Sequence, residues 1–135
     1  MTSDEVIRTL GLAAHPEGGF YKELYRADAD GRSPITSIYF LLDSTRPSHW
    51  HRIDASEIWY YHAGAALELR TFDGEHESFV LGADLVSGQR PQAVVPPNAW
   101  QAARTLGEWT LVGCAVGPGF DFSTFELAPA DWSPE

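Results

Sequence analysis

The stretch "SHWHRIDASEIWYYHAG", residues 48–64, decides how this chain is read. His49 and His51 stand two residues apart, and in a strand such neighbours point to one side. Imidazole is the commonest neutral ligand for first-row transition metals. Glu57 follows six positions after His51 and starts an alternating set with Trp59 and Tyr61, so those three share a face. A carboxylate arriving from the adjacent strand would complete three ligands and leave positions open for a substrate. The same side chains would also suit the polar lining of a pocket for an organic ligand. The spacing leaves both readings open.

Outward from this stretch the chain reads as strands. "FYKELYRA" (20–27) alternates as a half-buried strand does, and "SPITSIYFLLD" (33–43) reads as a second. "ALELRTFDG", "HESFVLGA", "QAVVPPN", "WQAARTLG" and "EWTLVGCAVGPGF" continue the series, with Asp73-Gly74 as a hairpin signal. Many short strands with closely spaced turns predict an all-β sandwich or barrel. The N-terminus differs. Thr2 and Glu5 have capping-box spacing, Val6, Ile7 and Leu10 fall on one helical face, and Gly11 is placed to end the helix. "HPEGG" (15–19) is a turn.

Composition bounds the function. The chain has 135 residues, 44% of them hydrophobic, which is enough for one domain with one core. Its 9 Lys+Arg against 19 Asp+Glu give a net charge of -10, which disfavours nucleic acid and anionic membrane as partners. A local arginine can still grip a phosphate or carboxylate. The single Cys114 allows no intrachain disulfide and reads as a small buried hydrophobe. No basic-then-apolar leader and no span-length apolar run is visible, so a cytoplasmic location is expected.

"HWHRIDASE" followed by Gly64 resembles the first motif of the cupin superfamily, G-x5-H-x-H-x3,4-E-x6-G. The gap to Glu57 is one residue longer than usual, and Asp43 replaces the leading glycine. "PPNAWQAART" resembles the second motif, G-x5-P-x-G-x2-H-x3-N. There Pro96 matches, Asn98 takes the glycine position, Gln101 the third histidine, Thr105 the final Asn and Arg90 the first glycine. "LGLAAHPEGGFYKELYR", "SEIWYYHAG" and "PGFDFSTFELA" resemble a narrower group, the small cupin-like proteins called Cupin_5, from about Leu10 to Ala128.

The resemblance implies an all-β double-stranded β-helix, a cupin jelly-roll barrel, with a short N-terminal helix. Residues 1–18 would be helix and turn, 19–128 the jelly roll and 129–135 a tail, in a homodimer. It implies a metal set of His49, His51, Glu57 and Gln101 for iron, manganese, nickel or zinc. A glutamine oxygen is a harder and weaker ligand than imidazole, so the alternative is a metal-free polar lining. The expected function is binding of a small polar metabolite in the barrel, with a metal-dependent isomerase or oxygenase activity. Two alternatives stand beside it. One is a metal-free reaction like that of nucleotide-sugar epimerases, with His51 as base and Tyr61 or Glu23 as acid. The other is a non-catalytic sensing module. Trp59, Trp100 and Tyr21 are expected on the pocket wall. Glu17, Glu23 and Arg26 can alternatively form surface or inter-subunit ion pairs; Arg26 is assigned there and Glu23 to the pocket. His15 is expected at the surface, and His62 and His76 outside the site. The Phe-rich "GPGFDFSTFEL" is expected to cover the barrel mouth or close a dimer, and Trp132 to dock the tail.

Overall fold

The computed structural model describes residues 1–135. The chain opens on helix α1 (Ser3–Leu10), capped by Thr2 and Glu5 in the reciprocal box and closed by Gly11 at φ 69°. Eleven strands follow: β1 (Ala13–Ala14), β2 (Phe20–Arg26), β3 (Thr36–Asp43), β4 (Ser48–Arg52), β5 (Ser56–Gly64), β6 (Leu67–Phe72), β7 (His76–Leu81), β8 (Gln92–Val95), β9 (Trp100–Thr105), β10 (Trp109–Gly117) and β11 (Glu126–Leu127). They form two antiparallel sheets, in the orders β1-β2-β3-β10-β5-β8 and β11-β4-β9-β6-β7. Late strands sit between early ones in both sheets, so the chain winds back and forth as in a jelly roll.

Alternating side chains from both sheets fill one end of the barrel. Phe40, Leu42, Trp59, Leu67, Leu69, Leu81, Val95 and Val112 form a continuous buried cluster there. The helix adds a second layer outside the first sheet, with Val6 and Leu12 against Leu41. Asn98 adopts φ 68°, the positive value that its place in the second motif calls for. The tail docks on the outside of the second sheet, where Trp132 stacks on Trp100 with centroids 4.6 Å apart. No helix is long and apolar enough to cross a membrane.

The strand alternation that was to put both motif histidines on one face does not hold. In β4, Ser48 pairs with Ala103 and His51 with Gln101, so three steps on one strand match two on the other. The extra residue is a bulge, and it resets which side chains face inward. Ser48 and His51 point into the barrel, whereas Trp50 joins an outer cluster with Ala102 and Ala128.

Candidate functional site

At the other end of the barrel the interior is not filled. A cavity of about 150 Å³ remains. An apolar space of about that size takes a molecule such as benzene. Its polar wall is His15, Glu17, His51 and Glu57, and its apolar wall includes Ile38, Ile53, Val116, Phe120 and Phe122.

Glu17 reaches the cavity because of the turn before β2. His15 N–H donates to Gly19 O and Gly18 N–H donates to His15 O, which closes the turn tightly. Gly18 and Gly19 sit at φ 108° and 75°. A Cβ on Gly18 would run into the Pro47 carbonyl, and one on Gly19 would lie 2.6 Å from Leu42 Cδ2. Only glycine lets this turn press so closely on the barrel. Glu17 O then accepts from His49 N at 2.8 Å, which ties the turn to β4. The result is that His15 and Glu17 are both buried.

The hydrogen bonds fix the state of each group. His51 Nδ1 lies 2.7 Å from His49 O. A carbonyl can only accept, so Nδ1 carries the hydrogen and Nε2 of the neutral ring is bare. That bare nitrogen faces Glu17 Oε2 at 3.3 Å. Ser48 Oγ also bonds to Glu17 Oε2. His15 holds the opposite tautomer, because its Nδ1 accepts from Glu17 N–H at 3.1 Å.

Burial shifts every one of these groups toward its uncharged form. It pushes Glu17 up to about 8, against the Ser48 bond. It pushes Glu57 up to about 7, and the charge of Glu17 adds to that while His51, Gln101 and Cys114 oppose it. It lowers His15 to about 4, helped by His51. It lowers His51 as well, against the pull of Glu57. Cys114, also at the cavity wall, is raised well above an ordinary thiol by burial and by Glu57.

Gln101 stands behind Glu57. Trp59 Nε1–H donates to Gln101 Oε1 at 2.9 Å, and Gln101 Nε2 donates to Glu57 Oε1 at 2.8 Å. An indole N–H can only donate, so it sets which end of the amide meets the carboxylate.

The predicted site residues therefore separate. His51, Glu57 and Gln101 come together. His49 does not: its Nε2 lies 2.8 Å from Pro129 O, toward the docked tail. The expected metal set fails on this donor geometry. One histidine is turned away, both ends of the glutamine amide are committed, and no group of three or more His, Cys, Asp or Glu side chains is arranged to hold an ion. Tyr21 lines the cavity. Trp59 instead belongs to the dry core, and Trp100 lies on the outer face under Trp132 and Arg52. Tyr61 donates to Gly64 O at 2.6 Å and packs against the dry core rather than the cavity. Glu23 and Arg26 both stand at the rim, joined in an ion pair of 2.6 Å.

His15 and Glu17 are the residues that sequence reading missed. Their signal was the glycine pair. A turn that needs two glycines for close approach lies against the body of the protein, and its side chains then have an interior to enter. The Phe-rich segment covers the mouth: Phe125 packs on His51 at 5.6 Å between centroids and Phe120 on His15 at 6.4 Å.

Comparison with known proteins agrees with this architecture. The model of the family Cupin_5, described as Cupin superfamily (DUF985), matches residues 4–128. Protein SO0799 from Shewanella oneidensis is 41% identical with a TM-score of 0.91, over 95% of this chain and 85% of that one. A hypothetical protein from Leishmania major is 31% identical with a TM-score of 0.89, over 95% and 88%. The uncharacterized protein YML079W of Saccharomyces cerevisiae is 28% identical over 87% of this chain and 71% of its own length. Oxalate decarboxylase from Bacillus subtilis has a TM-score of 0.62 at 13% identity, a likeness of fold alone.

Proposed function

The chain belongs to the Cupin_5 family of the cupin superfamily, and on that premise we propose that its barrel binds a small polar metabolite and moves a proton on it without a metal. The observation that carries this reading is the contact between Glu17 Oε2 and the bare Nε2 of His51 on the cavity wall. A carboxyl that keeps its proton at neutral pH, beside a ring nitrogen that can take one, is a general acid–base unit. Glu57 supplies the second carboxyl. It accepts a bond from Gln101, whereas Glu17 faces the bare nitrogen of His51, to which a protonated carboxyl can donate and a carboxylate cannot. Two carboxyls driven to different proton affinities divide the roles of acid and base.

The reaction class that suits this set is isomerisation next to a carbonyl. Glu57 as carboxylate takes the proton from the carbon beside the carbonyl, and Glu17 gives its proton to the carbonyl oxygen. The enol so formed takes a proton back at carbon, and its hydroxyl returns one to Glu17. Atoms and charge balance with no further reactant. His51 holds Glu17 in place and shares its proton. A cavity of about 150 Å³ admits only a small reacting group, and the nucleotide half of a nucleotide-linked sugar would have to stay outside the mouth.

The test is solvent-deuterium wash-in, followed by NMR, on small sugars, oxo acids and hydroxy ketones. Exchange at the carbon next to the carbonyl with the wild-type protein, reduced at least tenfold in Glu17→Gln and in Glu57→Gln, is expected. Binding without exchange would reduce the reading to a binding module. No binding at all would remove it.

A further inference from the structure

The chemistry of the cavity also limits which end of a ligand can enter it, and this inference rests on the pocket reading above. The inner wall presents two carboxyl groups, Glu17 and Glu57, and no cation. An anionic ligand group placed there would lose its water and meet only acids and uncharged rings, which is costly. The one cationic side chain among the lining residues is Arg26, at the rim.

Arg26 is held, yet not used up. Its Nη2 donates to Glu23 Oε1 at 2.6 Å and to Phe120 O at 3.0 Å, and its Nε donates to Glu23 Oε2 at 3.3 Å. Its Nη1 makes no hydrogen bond within the protein. Both side chains of the pair are over a third exposed, at 46% and 39%. Exposed ion pairs contribute little, so a second carboxylate can share or displace Glu23 at small cost. Asp121 also lies within range of the Arg26 charge. The Phe120 carbonyl fixes the guanidinium beside the aromatic segment that covers the mouth, and a guanidinium fork suits a planar carboxylate.

We propose that Arg26 is the specificity-determining residue of the site, and that the ligand is a small organic acid. Its carboxylate stays at the rim on Arg26, and its uncharged carbonyl or hydroxyl end enters between Glu17, His51 and Glu57. Glu23 is the built-in competitor that occupies Arg26 when no ligand is bound.

The experiment uses the full chain and paired probes: oxo and hydroxy acids of four to six carbons, each with its uncharged amide, measured by calorimetry at low and moderate salt. In the wild-type protein an acid binds at least tenfold tighter than its amide, and salt narrows the gap. Arg26→Gln removes that preference, weakening the acid at least tenfold more than the amide. Arg26→Lys keeps part of it. Glu23→Gln tightens the acid several-fold and not the amide. The amide serves as the control for a shifted Phe120, since any distortion of the pocket weakens both probes. Equal binding of acid and amide, or an acid preference that survives Arg26→Gln, overturns this proposal and leaves the pocket reading standing. Failure of both probe types to bind overturns the two together.

Discussion

Glu57 and Trp59 lie two residues apart on β5 and point the same way, yet they end in different surroundings. Trp59 is closed in by Phe40, Leu67, Leu69 and Val112, with 1% of its surface exposed. Glu57 faces open space shared with Glu17, His51 and Cys114. Gln101 is the boundary, one end bonded to each. One half of the barrel interior is thus packed for stability, and the other half is left unfilled with groups that burial makes uncomfortable. The contrast teaches that the fold does not need the cavity. Aliphatic side chains could have filled it, and acids held so far from their usual proton affinity are characteristic of sites rather than of cores.

The packed half should break most severely. Leu69 is fully buried at the centre of the dry cluster. Leu69→Ala should cost about 3–4 kcal/mol in urea unfolding, through lost transfer energy and the void left behind. Ligand affinity per folded molecule should hardly change. A variant that unfolds no more easily than wild type would mean that the dry core is not what stabilises the barrel.

The boundary should cost less. Trp59→Phe keeps most of the ring but leaves Gln101 Oε1 without its buried donor. An unsatisfied buried acceptor costs about 1–3 kcal/mol. The amide is then free to turn over and present its oxygen to Glu57, which would raise that carboxyl further. The variant should therefore lose stability and also shift the pH profile of any proton exchange upward. Loss of stability with an unmoved profile would show that Gln101 does not depend on Trp59 for its orientation.

The cavity half should show itself in pH dependence. Glu17 and Glu57 are raised to about 8 and about 7. The folded state therefore holds protons that the unfolded chain has released, and their contribution falls as pH rises through those values. His15 and His51 are lowered, so their contribution rises with pH until the unfolded value near 6.5 is passed. The two trends oppose each other below about pH 6.5, and only the carboxyl trend remains above it. Wild-type stability should fall by about 1–2 kcal/mol between pH 6.5 and 8. Glu17→Gln should flatten most of that fall, as read from urea midpoints at the two pH values. An equal fall in the variant would place the titrating group elsewhere.

The packed half was legible in the sequence, and the cavity half only partly so. Period-two alternation in "LELRTF" follows directly from burial of one face, and β6 is the strand found there, whereas the apolar run in "TSIYFLLD" fits β3, which is buried on both faces because the helix covers its outer side. The capped helix was legible for a similar reason, since Thr2, Glu5 and Gly11 act on their own neighbourhood. The motif spacing pointed to His51, Glu57 and Gln101, and the structure places these three side by side. What failed was the assumption of unbroken alternation through "SHWHR". A bulge depends on what the partner strand offers, here Gln101 and Ala103, and that is not a local property. Glu17 was hidden for the same reason. Its burial comes from a turn folding onto Pro47, Leu41 and Leu42, far along the chain. Glu23, which alternation along its strand had assigned to the pocket, reached only the rim.

The smallest expected effect separates the two motif histidines. His49 and His51 would be equivalent ligands if both faced one metal, and removing either would then abolish the site. With β4 bulged, His49 makes one hydrogen bond to the docked tail, and His51 makes the contact with Glu17. His49→Ala should cost only about 1 kcal/mol, the worth of that bond, and should leave ligand affinity and proton exchange as they were. His51→Ala should leave Glu17 without its partner and weaken both by tenfold or more. Dialysis against a chelator should change neither the melting temperature nor the affinity of wild type. If His49→Ala instead proves as damaging as His51→Ala, and added zinc or manganese raises the melting temperature of wild type alone, the strand must straighten in solution. The two imidazoles would then act as a metal pair.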